Sequence, residues 1–383
     1  MKLLFLSTEF PNQYDPIKAT FNYDLIKSLS INHDVEVISP ISWTEEFYGR
    51  LFIKKNKRQS SGCAFSINYP RYYFIPKLFR KHFHLFLWWS LKGMISELQN
   101  RSKPDCILSY WTHPDGSVAV KLAKTLGTRS VIIVGGSDIL VLAKLPDRRK
   151  EIIRALQETD AIISVSEDLK RHITALGISS EKIHVICRGV DQKIFHSGSK
   201  KDARTKLNIP EDRKVALCVG RLVKVKSVKT IINAMQRLHL QFPKLHLYLL
   251  GDGPLMGILK KQVASASLID KIHFIGNCPH HKLGNWYRAA DVTVLASVSE
   301  GIPNVLLESL ACGTPFVASN VGGIPEISQT SSARLFPPKD ALALCKQLEF
   351  TLNNKLKDEA SSRTKSLSEF AQSVARIASL KCN

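Results

Sequence analysis

The chain has 383 residues, of which 44% are hydrophobic, and its formal net charge is +21 at pH 7. At the usual ~100 to 200 residues per domain, this length predicts two domains and excludes a largely disordered protein. No apolar run reaches the ~18 to 20 residues of a bilayer span. The opening MKLLFLSTEF is predicted to be a buried strand rather than a signal peptide, because Glu9 precedes any small-residue cleavage site.

Cysteine usage and charge distribution narrow the function classes. The eight cysteines are scattered without a CxxC pair, and several lie in apolar runs such as 216–219, which favours a reducing cytoplasm. A basic excess attracts nucleic acid, anionic lipid or phosphorylated ligands. Lysine and arginine are spread along the chain, however, and neither a zinc-ligand spacing nor an RNA-binding signature occurs. Nucleic acid is therefore not expected as a partner.

In the first half of the chain, short apolar runs alternate with amphipathic stretches. This alternation predicts a parallel sheet covered by helices on both faces. The predicted strands are 2–6, 35–39, 106–109, 130–134, 161–165 and 184–187.

The same rhythm restarts after the polar stretch 196–212, and from 341 onward the pattern is helical. A linker near residue 197 therefore divides the chain into domains 1–197 and 198–383, both α/β and both Rossmann-like. Such domains bind ligands beyond the carboxyl ends of their strands, so we expect the two to face each other across a cleft. The predicted strands of the second domain are 215–219, 245–250, 272–275, 292–295 and 315–318.

The first chemical motif is VGRLVKVKS. Gly220, Arg221 and Lys226 follow the strand 215–219, and Ser227 suits the N-cap of the next helix. A planar guanidinium and a mobile ammonium together suit an anionic diphosphate and can replace a metal ion as its counter-charge. Basic residues in a loop are as often simply solvated.

The second motif is SEGIPNVLLESLACGTP, which predicts a helix over 303–311 with Pro303 in its first turn and Gly313 at its C-cap. The N-terminus of this helix is predicted to point its N–H groups at the expected cleft, and Gly301 before it has no side chain to cover them. With this spacing, we expect Glu300 to lie at the N-terminus of the helix near a sugar, and Glu308 to accept hydrogen bonds from a ribose. The alternative makes Glu300 a helix-dipole partner and Glu308 a surface charge.

The glycines of LYLLGDGPLMG follow a strand and suggest dinucleotide binding. The spacing of Gly251, Gly253 and Gly257 is G-x-G-x-x-x-G, however, and Asp270 precedes its strand instead of ending it. We therefore expect a tight turn near a nucleotide rather than an NAD site.

Two loops of the first domain also follow predicted strands. One carries His113 and Asp115, and the other carries Gly136, Ser137 and Asp138. His113 is a candidate to hydrogen-bond a sugar hydroxyl or the acceptor, although a lone histidine is often structural. Asp138 is a weaker candidate, and the glycines suit a tight turn.

The stretch 77–95 has apolar residues at helical spacing with lysine and arginine interleaved. This pattern is typical of a helix that lies on a membrane surface, and equally of a helix that faces its own core.

Taken together, these segments resemble the retaining glycosyltransferases of family 4, which have the GT-B fold. The resemblance runs through nearly the whole chain and is most like the bacterial members that build exopolysaccharide, capsule or teichuronic-acid chains. The motifs that carry it are VGRLVKVKS, LLGDGP, HFIG, YRAADVTVLAS, EGIPNVLLESLACGTPFVASNVGGIPEI and LFPP in the second domain, and TDAIISVSEDLK, EKIHVICRGVD, HPDG and GSDI in the first.

The resemblance implies roles for individual residues. Arg221 and Lys226 would hold the donor diphosphate, Glu308 the ribose, and Glu300 the transferred sugar, while His113 would approach that sugar from the first domain. Family members need no divalent metal, and no metal or cofactor is expected here. The implied catalytic set is Glu300, Arg221, Lys226 and His113; the donor-binding set is Gly220, Arg221, Lys226, Gly251, Gly276, Glu300, Gly301, Pro303, Asn304, Val305 and Glu308.

The implied activity is retaining hexosyl transfer from a UDP- or GDP-linked sugar to a glycan or lipid-linked acceptor. It would take place in the cytoplasm or at the inner face of the membrane. A nucleotide-sugar epimerase and a non-catalytic nucleotide-sugar-binding partner protein remain as alternatives. The sequence departs from the family at Ala19, Ser227 and Ala333, where glycine is common.

Overall fold

The computed structural model describes residues 1–52, 65–76, 78–354 and 364–380. Over these residues the chain forms two compact units. One consists of Met1–Cys187 with Leu367–Asn383, and the other of Arg188–Ser366.

The first unit is built on a seven-stranded sheet in which every pairing is parallel, with the strand order β4-β2-β1-β6-β7-β8-β9. Strands β1 and β6 lie in its middle and are buried along nearly all their length, as a sheet covered on both faces requires. Strands β3 and β5 pair separately. The strands are β1 Lys2–Leu6, β2 Asp34–Ile38, β3 Ile41–Ser42, β4 Ser66–Asn68, β5 Arg71–Tyr72, β6 Cys106–Tyr110, β7 Arg129–Val134, β8 Ala161–Ser164 and β9 Ile183–Val185.

The helices of the first unit connect these strands, and the last one returns from the end of the chain. They are α1 Thr20–Leu29, α2 Trp43–Phe52, α3 Phe83–Ser90, α4 Lys92–Gln99, α5 Ser117–Leu126, α6 Ser137–Leu140, α7 Pro146–Glu158, α8 Glu167–Thr174 and α16 Leu367–Ser379.

The second unit is built on a six-stranded parallel sheet with the order β12-β11-β10-β13-β14-β15. Its strands are β10 Lys214–Val219, β11 Leu245–Leu250, β12 Ile272–Gly276, β13 Val292–Leu295, β14 Phe316–Ser319 and β15 Ala333–Phe336. Its helices are α9 Lys200–Lys206, α10 Val228–Leu238, α11 Met256–Ser265, α12 Leu283–Ala289, α13 Asn304–Ala311, α14 Ile324–Ile327 and α15 Ala341–Asn353.

Every strand predicted from the sequence is present, and the predicted ends differ from the observed ends by at most two residues. The strands that the pattern missed are β3, β4, β5 and β15. The first three have two or three residues each, which is too short for a period to show. Strand β15 is only half-buried over most of its length and follows a polar run.

The units divide the chain differently from the predicted boundary at 197 and from the predicted second domain 198–383. The first unit ends at Cys187, and α16 belongs to it. Phe370, Val374 and Ala378 recur on one face of α16 and join the core that also contains Leu25 and Leu29 of α1. The terminal helix therefore completes the first unit.

Two non-glycine residues at helix starts adopt the left-handed conformation that glycine favours. Ala19 precedes α1 with φ 44°, and Ser227 precedes α10 with φ 45°. This conformation is one that glycine adopts without steric cost, which agrees with the glycine that the resemblance implies there. Ser227 occupies the predicted N-cap position, but its side chain makes no cap hydrogen bond and pairs with the Thr230 hydroxyl instead.

We predict that Phe370→Ala destabilises the first unit by about 3 to 5 kcal/mol, because it opens a cavity in a core that the terminal helix completes. Hydrogen exchange should rise in α1 and β6 and stay unchanged in β10 and β11. The matched control is Phe350→Ala, since Phe350 is 43% exposed. Loss of protection that starts in the second unit would contradict this assignment of α16.

Candidate functional site

The predicted donor-binding residues of the second unit lie at the carboxyl ends of its strands. The Gly220 N–H donates to the Leu250 carbonyl at 2.9 Å, and the Gly251 N–H donates to the Gly276 carbonyl at 2.7 Å. These bonds join the ends of β10, β11 and β12. The loops that follow the strands thus begin side by side, which is the usual place for a ligand in a parallel sheet.

Two of the three glycines in LYLLGDGPLMG let these loops approach closely. A Cβ on Gly251 would lie 2.1 Å from the Gly220 carbonyl oxygen, and a Cβ on Gly253 would lie 2.6 Å from the Leu222 carbonyl oxygen. Gly257 has open space around it. The first two glycines therefore form the predicted tight turn, and the third is not required for it.

The two predicted cations have different surroundings. Arg221 is exposed, and its side chain has no hydrogen-bond or ion-pair partner within the described parts of the chain. The Lys226 ammonium lies 2.5 Å from Glu300 Oε1, and their side chains are 23% and 14% exposed. The Val298 N–H donates to the Val225 carbonyl at 2.8 Å and fixes the two loops beside each other. Lys226 and Glu300, which are far apart in sequence, thus form one charged pair.

The loop that contains Gly322 and Gly323, to which the sequence analysis gave no role, packs against the backbone at Glu300. A Cβ on Gly322 would lie 1.9 Å from the Glu300 carbonyl oxygen, and Gly322 has φ 56°. The Gly323 N–H donates to the Gly301 carbonyl at 2.9 Å. Only glycine fits at 322, and the GG pair in SNVGGIPEI was the signal that could have found it.

The helix predicted over 303–311 is α13, which begins one residue later. Pro303 is its N-cap and has extended backbone, and Gly313 follows the helix with φ 77°. Proline offers no side-chain acceptor, so no side chain caps the first-turn N–H groups. The Leu306 N–H donates to the Pro303 carbonyl at 3.1 Å, and the N–H groups of Asn304 and Val305 before it are available to an anion or a sugar oxygen.

Glu308 is buried rather than on the surface, since it is only 7% exposed. The Tyr287 hydroxyl donates to Glu308 Oε2 at 2.7 Å, and His280 Nε2 lies 3.4 Å from Oε1. A carboxylate oxygen accepts two hydrogen bonds, so both oxygens keep capacity for a ligand. The structure thus excludes the interpretation of Glu308 as a surface charge.

In the first unit His113 is enclosed. It is 1% exposed, its Nδ1 lies 3.1 Å from the Ser117 hydroxyl, and its Nε2 lies 3.4 Å from the Arg80 carbonyl oxygen. Burial, with a smaller contribution from His84, lowers the pKa of His113 to about 3. The ring is therefore neutral at physiological pH, and both of its nitrogens face protein atoms, with the Arg80 backbone covering Nε2.

Asp115 and Asp138, which follow two strands of the first unit, hold loops together. Asp115 Oδ2 accepts from the Thr8 N–H at 3.0 Å and the Thr8 hydroxyl at 2.9 Å. Burial raises the pKa of Asp115 to about 7. Asp138 accepts from the Thr112 hydroxyl at 2.6 Å and from the Gly136 N–H at 2.8 Å. Both are fully buried and contact protein atoms, which favours structural roles.

The stretch 77–95 is only partly a core element, and its first residue, Lys77, lies outside the described residues. Leu87, Leu91 and Ile95 pack into the core of the first unit. Another group of apolar side chains on the same segment is exposed: Leu78 58%, Phe79 56%, Leu85 40% and Trp89 79%. Arg80, Lys81 and Lys92 are exposed beside them. No helix in the described part of the chain has the length and apolar character needed to cross a bilayer.

Models of known protein families match both parts of the chain. The family model described as Glycosyltransferase Family 4 matches residues 19–193, and the model described as Glycosyl transferases group 1 matches residues 199–370. The two matches lie end to end and take up most of the chain.

Individual relatives agree with these matches. The protein named as teichuronic acid biosynthesis glycosyltransferase TuaC, from Bacillus subtilis, is 25% identical over 365 residues, which are 91% of this chain and 88% of that protein. A sucrose-phosphate synthase from Thermosynechococcus elongatus superposes with a TM-score of 0.78 at 19% identity, covering 98% of this chain and 97% of that one. Anabaena HepE, in complex with UDP and glucose, superposes with a TM-score of 0.77 at 17% identity, covering 99% and 100%. The described units therefore have the GT-B fold.

We predict that Gly322→Ala disturbs the backbone at Glu300. Left-handed φ costs a non-glycine residue about 1 to 2 kcal/mol, and the added Cβ also meets the Glu300 carbonyl. Hydrogen exchange of residues 298–305 should rise and the unfolding temperature should fall. Gly257→Ala is the control and should neither raise the exchange nor lower the unfolding temperature, because its Cβ meets nothing and alanine is favoured in helix α11. Equal behaviour of the two variants would show that the loop at Gly322 does not support Glu300.

Proposed function

We propose that this chain, which belongs to the family 4 glycosyltransferases, transfers a hexose from a UDP- or GDP-linked donor to a glycan or lipid-linked acceptor, with retention at the anomeric carbon and without a metal ion. The observation that carries the proposal is the pairing of Lys226 with Glu300 beside Arg221, in the unit whose helix α13 starts without a side-chain cap.

The donor site is proposed from charge and geometry. A diphosphate needs counter-charge, and the exposed Arg221 and the partly buried Lys226 supply two cations on one loop. When a phosphate binds Lys226, the Glu300 carboxylate becomes free to accept hydrogen bonds from the hydroxyls of the transferred sugar. Without a ligand, the Lys226–Glu300 pair keeps both charges compensated.

The proposed reaction is a same-face substitution. The bond between the anomeric carbon and the diphosphate oxygen breaks, the bond to the acceptor oxygen forms on the same face, and the acceptor's proton passes to the leaving diphosphate. Negative charge builds up on that diphosphate, and Arg221, Lys226 and the first N–H groups of α13 stabilise it. A fixed donor of this type contributes on the order of 3 kcal/mol, or ~10² in rate.

The relatives support the substrate classes. TuaC is named for teichuronic acid biosynthesis, and HepE has been solved with UDP-glucose. We therefore propose a polymer of the cell envelope as the product and UDP as the first nucleotide to test. His113 is proposed to meet the sugar only after the backbone at Arg80 moves away from its ring.

We further propose that the exposed apolar side chains of residues 78–89 contact the inner face of the membrane. Phe79 and Trp89 are 56% and 79% exposed, and Arg80 and Lys81 flank them with positive charge. This combination suits anionic headgroups above an apolar layer. It would bring a lipid-linked acceptor to the enzyme.

The test of the transfer reaction uses UDP-, GDP- and ADP-sugars. We expect slow hydrolysis of one donor with the anomeric configuration of the sugar retained. Arg221→Ala and Lys226→Ala should each lower turnover by about 10², because each removes a charge that stabilises the leaving diphosphate. Lys224→Ala is the matched control, since Lys224 is an exposed cation of the same loop.

Unchanged kinetics in both variants would reject the diphosphate role of these cations. Release of an altered sugar nucleotide without an acceptor would indicate an epimerase. Donor binding without hydrolysis or transfer would indicate a binding partner protein.

For the membrane contact, we expect the chain to sediment with vesicles of phosphatidylcholine and phosphatidylglycerol, and less with phosphatidylcholine alone. Trp89→Ser and Phe79→Ser should weaken this association, because each removes an exposed apolar side chain. Leu240→Ser in the second unit, where Leu240 is 82% exposed, is the control. Equal sedimentation of all variants would contradict a contact through this segment.

A further inference from the structure

We propose that Tyr287 is a positioning residue that fixes the Glu308 carboxylate for the ribose of the donor. This inference rests on the proposed function, because it assumes a nucleoside diphosphate as the ligand. Tyr287 lies on α12 and Glu308 on the neighbouring α13. The Tyr287 hydroxyl donates to Glu308 Oε2 at 2.7 Å. No role was assigned from the sequence to this tyrosine, which is the first residue of YRAAD.

The phenol is a permanent donor. Tyr287 is fully buried, and burial together with the Glu308 charge raises its pKa well above the usual value of a tyrosine. The O–H group is therefore retained at neutral pH. A bond of this length to an ionised carboxylate is charge-assisted and stronger than a neutral hydrogen bond. It holds Oε2 in one place.

Tyr287 is itself held on both sides. Its backbone carbonyl accepts from the Thr314 hydroxyl at 2.6 Å, and its ring meets the Phe195 ring with centroids 5.9 Å apart. Gly284, one turn earlier on α12, lets the chain before Phe195 pass close by, since a Cβ there would lie 2.3 Å from the Ile194 carbonyl oxygen. The phenol therefore has no room to turn away from Glu308.

Of the two carboxylate oxygens of Glu308, Oε1 is the one whose neighbouring side chain is partly exposed. Glu308 Oε1 faces His280 at 3.4 Å, and the His280 side chain is 25% exposed. The fully buried phenol thus binds Oε2, and Oε1 lies on the side of the partly exposed histidine. A ribose that approaches from that side finds Oε1 already oriented, which lowers the entropy cost of binding.

The experiment compares nucleotides with and without ribose hydroxyls. UDP, GDP and ADP are titrated calorimetrically into the wild-type chain, and the best binder is then compared with its 2′,3′-dideoxy analogue. For Tyr287→Phe we expect a roughly tenfold to hundredfold weaker Kd for the normal nucleotide, which is the usual range for a hydrogen bond to a charged group. The Kd of the dideoxy analogue should be the same for variant and wild type.

The matched control is Tyr248→Phe. Tyr248 is a buried tyrosine of the same unit, and its hydroxyl contacts Arg213 rather than Glu308. It should leave both Kd values unchanged. A second measurement uses the wild-type chain labelled with 3-fluorotyrosine. The fluorine resonance of residue 287 should shift on binding the normal nucleotide and stay in place with the dideoxy analogue.

The possible results distinguish a failure of the role proposed for Tyr287 from a failure of the proposed function. An equal loss for both nucleotides in Tyr287→Phe, or no loss for either, would overturn the role of Tyr287 while leaving the proposed function standing. An unresponsive fluorine resonance would overturn the role in the same way, even if the variant did not fold. No binding of any of the three nucleotides to the wild-type chain would overturn the proposed function and the role of Tyr287 with it.

Discussion

The contact between Lys226 and Glu300 is the interaction on which the candidate site of the second unit depends. Their opposite charges lie 2.5 Å apart in a partly buried position, so removal of either partner leaves the other charge poorly compensated. A ligand that carries its own negative charge can replace the carboxylate at Lys226. Phosphate binding at Lys226 would therefore also release the Glu300 carboxylate, which could then accept hydrogen bonds from sugar hydroxyls.

Backbone packing fixes the place of this pair. Gly251 and Gly322 stand where a Cβ would meet the carbonyl oxygens of Gly220 and Glu300 at 2.1 and 1.9 Å. The loops after neighbouring strands can therefore approach until main-chain atoms touch, and the charged side chains are carried along with them. Helices α12 and α13 are joined in a similar way. There a hydrogen bond from the Tyr287 hydroxyl to the buried Glu308 carboxylate, rather than an ion pair, connects the two elements.

The sequence predicted the sheets well, since both are parallel and their buried strands are continuous apolar runs. It also predicted α13 and the residues around it, because proline and glycine mark the ends of that helix. It did not reveal that α16 completes the first unit or that the Arg80 backbone covers His113. Those features depend on contacts between residues distant in sequence, which a local pattern does not encode. Tyr287 was missed for the same reason, whereas Gly322 was missed although the GG pair in SNVGGIPEI marks it.

The most direct test of the central claim is a crystal structure of the chain with a bound nucleoside diphosphate. We expect a phosphate oxygen within hydrogen-bond distance of Lys226 Nζ, a second contact from Arg221, and a Glu300 carboxylate that has left the ammonium. A diphosphate bound away from both cations, with the Lys226–Glu300 contact intact, would contradict the claim.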